Sequence, residues 1–128
     1  IAKKNAKQNN VDAKIKFIYS NIFSKIKDKY DIIISNPPYV LSSEMDSLPM
    51  EVKYEPAIAL DGGNDGLVYY RQILKNAKNY LNDNAMIFLE IHEHKAKEIV
   101  GLANEFGFCD VEVRKDYCQR DRFVVVWG

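Results

Sequence analysis

"DIIISNPPYV", residues 31–40, joins a run of isoleucines to an asparagine, two prolines and a tyrosine. Ile32, Ile33 and Ile34 show no apolar/polar alternation, the mark of a strand covered on both faces, as in parallel sheets. A strand is therefore expected over residues 30–35. Pro37 and Pro38 then remove two backbone N–H donors from one short loop. What remains is a set of acceptors beside the ring of Tyr39. Asn36 precedes a proline, which biases it toward extended backbone and gives its side chain a consistent direction.

Such a loop suits a ligand carrying a planar –NH2 group, an amide or an aromatic amine. The two hydrogens need two acceptors, and the Asn36 side-chain oxygen and the Pro37 carbonyl can supply them. Tyr39 can stack on the planar group. A nitrogen of this kind is a poor nucleophile because its lone pair is delocalised. Drawing its hydrogens toward acceptors favours the localised geometry that attack requires, a gain realised in the transition state. The plainer alternative is that Pro37-Pro38 stops a strand and Tyr39 packs.

Outward from this stretch the elements fall in α/β order. Residues 1–10 read as a helix end, and residues 15–19 as a short strand by alternation. Residues 40–66 form a long irregular segment punctuated by Pro49, Pro56, Gly62, Gly63 and Gly66, a length that is usually functional. Helical spacing returns over 67–81, followed by a turn at Asn82-Asp83-Asn84. A second apolar strand is expected over 85–91, and a helix over 93–106 with Gly107 as its C-cap. Strands at 110–115 and 122–127 are joined by a link too short for a parallel crossover, so they form an antiparallel hairpin. The expected fold class is α/β, a mostly parallel sheet with an antiparallel carboxyl-terminal hairpin. Open sheets of this kind place ligands at the carboxyl ends of parallel strands. The Asn36 loop lies at such an end.

Composition is that of an ordinary soluble domain, with 47% hydrophobic and 28% charged residues. Lys+Arg and Asp+Glu balance at 18 each, which gives no global reason for nucleic-acid or membrane binding. No apolar run reaches the roughly 20 residues of a membrane span. Cys109 and Cys118 lack metal-ligand spacing and read as two free thiols of a cytoplasmic protein.

Asn36-Pro37-Pro38-Tyr39 after "DIIIS" resembles the motif of class I methyltransferases that use S-adenosylmethionine (AdoMet) and modify –NH2 nitrogens. The longer stretch "YEPAIALDGGNDGLVYYRQIL", residues 54–74, is similar to the segment that follows this loop in the release-factor glutamine methyltransferases (the HemK/PrmC family). "DYCQRDRFVVVWG", residues 116–128, looks like that family's closing hairpin. The resemblance implies a Rossmann-like class I methyltransferase sheet. It also implies methylation of the glutamine amide in the Gly-Gly-Gln tripeptide of peptide chain release factors.

On this resemblance Asn36, Pro37, Pro38 and Tyr39 bind the substrate amide and carry catalysis, with Asn36 also near the cofactor methyl. Asn21 and Ile22, in "YSNIF", stand where the family meets the adenine ring, although Asn21 replaces a usual acid. His92 stands where glycine is more usual, and no function is carried onto it. The family's glycine-rich AdoMet loop, ribose-holding acid and small N-terminal helical domain have no counterpart in these residues. The chain is thus expected to be the carboxyl-side part of the catalytic domain, binding AdoMet weakly by itself. The strand at 31–34 is expected to carry an exposed apolar edge, so that the chain self-associates or rearranges its amino end.

His92 and His94 are expected to belong to a polar loop rather than to a metal site, and no metal is needed. Glu90 is a candidate orienting group or a solvated strand end. Glu55, Asp61 and Asp65 are expected to order the long loop, since the proton shed by the amide can leave to water. Two rivals remain. A nucleic-acid amino methyltransferase would want a basic groove, and a non-catalytic binding module would have lost its cofactor half.

Overall fold

The computed structural model describes Ile1–Gly128. A helix α1 (Ala2–Gln8) precedes strand β1 (Tyr30–Ser35), a short helical turn α2 (Met50–Lys53) and helix α3 (Val68–Ala77). Strand β2 (Leu81–Glu90), helix α4 (Ala96–Glu105) and strands β3 (Asp110–Lys115) and β4 (Asp121–Trp127) complete the chain. The α/β class and the closing hairpin are as expected. The sheet order is β1-β2-β4-β3. β1 and β2 are parallel, whereas β2–β4 and β3–β4 are antiparallel. Two parallel strands therefore meet side by side at the Asn36 end.

The core lies on one face of this sheet. Tyr70, Ile73, Leu74 and Ala77 recur at helical spacing in α3, and Ala96, Ile99 and Ala103 in α4. Both stripes pack against Ile87 and Leu89 of β2 and Val124 and Val126 of β4, which are cross-strand partners. Burying such side chains contributes roughly 25 cal/mol per Å² of apolar surface. Phe106 is the C-cap of α4, and Gly107, the next residue, turns the chain away at φ 81. Lys78 donates to the Gly107 carbonyl at 2.7 Å.

Three expectations are corrected. First, β1 is covered on one face only. Ile33 packs on the core, but Ile32 is 49% and Ile34 78% exposed. Both helices sit on the Ile33 side, and Ile32 and Ile34 lie outside that core. Second, residues 15–19 form no strand, because alternation without a neighbouring strand leaves the backbone with no ladder to join. Third, Asn82-Asp83-Asn84 lies inside β2 as a bulge rather than before it. Tyr30 pairs Leu81 while Ile32 pairs Met86, and Asn84 takes φ 60. Asn82 donates to the Asp31 carboxylate at 2.8 Å, which ties the bulge to β1. Cys109 and Cys118 are free thiols at the surface. No helix is long and apolar enough to cross a membrane.

Candidate active site

At the end of β1 the chain leaves the sheet through Asn36. Pro37 is buried, Pro38 and Tyr39 are half-buried, and Asn36 is exposed. The prolines stop the ladder because neither can donate to it. Beyond them the chain pairs with the middle of the long irregular segment. The Val40 N–H donates to the Leu60 carbonyl at 2.9 Å and the Gly62 N–H to the Val40 carbonyl at 2.8 Å.

This pairing is tight enough to require glycine. A Cβ on Gly62 would stand 2.7 Å from Tyr39 Cα and 2.8 Å from the Pro38 oxygen. On Gly66, whose φ is +72, it would stand 2.6 Å from the Tyr39 oxygen. The "DGGNDG" stretch is thus a clamp on the back of the Asn36 loop.

Two aspartates set the clamp. The Asp61 carboxylate accepts from the Ser42 hydroxyl at 2.7 Å and from the Gly63 N–H at 2.9 Å. These bonds hold its carboxyl below the usual carboxylate range, the Ser42 bond most. Asp65 accepts from the Leu67 N–H at 3.1 Å and pairs with Arg71. The Arg71 guanidinium is the main cause of an Asp65 pKa lowered to about 2. Both residues therefore order the loop, as the sequence suggests.

The front of the loop opens on a cavity of about 280 Å³. Residues 36–40 form one wall, and Val52, Glu55, Ala59 and Leu60 form the other. The ring of Tyr39 meets His92 edge to face at 5.9 Å between centroids and 65°. Burial raises the Tyr39 phenol above the usual tyrosine value, the Glu90 charge adds to it, and Arg122 opposes both. Below it the buried Tyr70 hydroxyl donates to the Glu90 carbonyl at 2.7 Å, and burial raises its pKa strongly. Glu90 itself lines a recess of about 230 Å³ shared with Ser35 and Asn36, so it lies at the site rather than at a free strand end.

Asn21 and Ile22 lie elsewhere, in a recess of about 230 Å³ beside Gln72 and Tyr80. Ile22 also lines an apolar recess of about 180 Å³ with Ile33, Ile34 and Ser35. The structure therefore gathers Asn36 to Tyr39 in one cavity and keeps Asn21 outside it. Ile22 and Asn36 are linked through Ile34 and Ser35, which border a recess with each. Ile22 holds φ 48, a conformation that is an outlier for a β-branched residue. Phe23, beside it, stacks on Tyr80 at 4.5 Å.

Sequence reasoning missed the second wall of the cavity, the glycine clamp and the contact of His92 with Tyr39. The glycine punctuation was the only available signal for the clamp.

A family model described as "Methyltransferase small domain" matches residues 1–51. The release factor glutamine methyltransferase of Thermodesulfovibrio yellowstonii is 41% identical over 127 residues, 98% of this chain and 45% of that protein. That of Clostridium acetobutylicum is 42% identical over 99 residues, 77% and 35% respectively. This chain belongs to the release factor glutamine methyltransferase family. It spans less than half the length of these two curated relatives.

A solved release factor-specific protein-(glutamine-N5) methyltransferase from Alicyclobacillus acidocaldarius superposes with TM-score 0.50 at 26% identity, covering 77% of this chain and 48% of that one. A methyltransferase from Pyrococcus furiosus superposes with TM-score 0.65 at 19% identity, covering 98% and 55%, and speaks for the fold alone. The α/β sheet with its antiparallel finish is that of class I methyltransferases.

Proposed function

We propose that this chain is the carboxyl-side catalytic part of an AdoMet-dependent methyltransferase. Its target is the side-chain amide nitrogen of the Gly-Gly-Gln glutamine in peptide chain release factors. The observation that carries the reading is the clamped Asn36–Tyr39 loop, which forms one wall of a cavity at the ends of two parallel strands.

The roles follow from donor and acceptor chemistry. The Asn36 Oδ1 and the Pro37 carbonyl accept the two hydrogens of the amide –NH2, and the Tyr39 ring covers its plane. Holding the nitrogen in one orientation converts an encounter into a positioned reaction. Both hydrogens are drawn away from the carbonyl plane, so the nitrogen lone pair localises where the methyl arrives. One proton leaves the product nitrogen to water, and no base of this chain is required for it.

The residues here suit part of AdoMet. Ile22, Ile33 and Ile34 offer an apolar lining for adenine, and Asn21 offers an amide beside Ile22. When bound, AdoMet supplies an electrophilic methyl on a sulfonium. No carboxylate borders these recesses on the Ile22 side to meet a ribose, which supports the cofactor's other end being held by other parts of the full-length protein.

The test is transfer from methyl-labelled AdoMet by the full-length protein to a purified release factor and to its variant with alanine in place of the Gly-Gly-Gln glutamine. Label on the first and not on the second is expected. Label on neither, with incorporation into nucleic acid, would overturn the glutamine assignment.

A further inference from the structure

The second wall of the cavity has an outer face that the amide chemistry does not use. Helix α2 and its continuation form a single turn held by the Val52, Lys53 and Glu55 N–H groups. Val52 and Glu55 of that turn look into the cavity. Met50 and Tyr54, four apart, share the opposite side of the turn. They are 69% and 84% exposed, and Ile58 in the next turn is 75% exposed. Three large apolar side chains in solvent on one short segment are costly to keep without a partner, and such patches mark contact surfaces.

The surrounding charge narrows the partner. Glu44, Asp46, Glu51 and Glu55 lie in this segment against one cation, Lys53. Carboxylates at the rim repel a phosphate backbone, so nucleic acid is a poor occupant. A polypeptide carrying lysine or arginine is a good one, because rim charges steer encounter while a central apolar cluster holds the complex.

We propose that the 50–58 segment, through its exposed Met50, Tyr54 and Ile58, docks the basic protein segment flanking the target amide. The inference rests on the glutamine-methylation reading and adds the surface that selects a folded protein over a free amide. The docked chain lies on the outside of the wall, and its amide side chain reaches over the rim past Glu55 to Asn36. Apolar anchors act on the bound protein as a whole, not on the reacting nitrogen, so they contribute to affinity and not to the chemical step.

The experiment uses the full-length protein with Met50, Tyr54 and Ile58 all changed to serine, assayed against an intact release factor. KM for the release factor is expected to rise roughly 10-fold or more, the range of interface anchors, with kcat within twofold and the thermal midpoint unchanged. A second variant, Glu44→Gln with Asp46→Asn and Glu51→Gln, should raise KM and flatten its dependence on salt. Unchanged KM in the first variant, or kcat falling in step with KM, would overturn the docking surface. Absence of transfer by the wild-type protein would instead remove the underlying reading and the docking surface with it, so the two failures are distinct.

Discussion

On one side of Asn36, residues 37–66 are held by a parallel bridge, two aspartate-set turns and two glycine contacts. On the other side, residues 15–34 hold Ile22 at positive φ and leave Ile32 and Ile34 in solvent. The first region makes all its key contacts within this chain. The second leaves the Ile32 and Ile34 side of β1 open. The difference teaches that the contacts of the Asn36 loop close within these residues, whereas those around Ile22 do not. On the proposed function, the second region is the one that needs further polypeptide to hold AdoMet.

The largest expected effect tests that asymmetry directly. In a calorimetric titration, the 128-residue chain should bind AdoMet at least about 100-fold more weakly than the full-length protein, a difference of about 2.7 kcal/mol. Comparable affinity would erase the contrast. Next comes Gly62→Ala. Its methyl would press on the Tyr39 and Pro38 backbone, and overpacking of this kind costs about 1–3 kcal/mol. A fall in denaturation midpoint and loss of transfer are expected, with AdoMet binding of the full-length protein little changed.

A smaller effect concerns Asp65, whose carboxyl is depressed to about 2, mainly by Arg71. A folded-state pKa below the unfolded value adds stability above the unfolded pKa, and that stability is lost as pH falls through the folded one. The contribution is therefore present at neutral pH and disappears between roughly pH 4 and 2. Both partners are nearly half exposed, so solvent screening keeps it small. Asp65→Asn should lower the melting temperature slightly at pH 7 and flatten its dependence over that acid window. Smallest is Gly101→Ala in α4. Nothing lies within 4 Å of the added Cβ, so a gain of about 0.5–1 kcal/mol from helix propensity is expected. Opposite signs at Gly62 and Gly101 would separate glycine used for contact from glycine used for nothing.

Much of this was legible in the sequence, for a local reason. The isoleucine run of β1, the helical spacing of α3 and α4 and the short link of the hairpin are properties of adjacent residues. So is the Pro-Pro stop that marks the site. What escaped depends on partners far along the chain. The alternation at 15–19 did not reveal that no strand would lie beside it. The apolar run of β1 could not show that both helices would choose the Ile33 face. Gly62 and Tyr39 are separated by 22 intervening residues, and no local pattern announces their contact. His92 likewise meets Tyr39 only because β1 and β2 end together.

The most direct test of the central claim, that Asn36 acts on the amide and not on the cofactor, is Asn36→Ala in the full-length protein. kcat with a release factor and the dissociation constant of AdoMet would be measured on the same preparation. Loss of one pre-positioned polar group acting in the transition state costs roughly 100-fold or more, so kcat should fall by that order with AdoMet affinity nearly unchanged. Equal losses in both would place Asn36 at the cofactor and contradict the account.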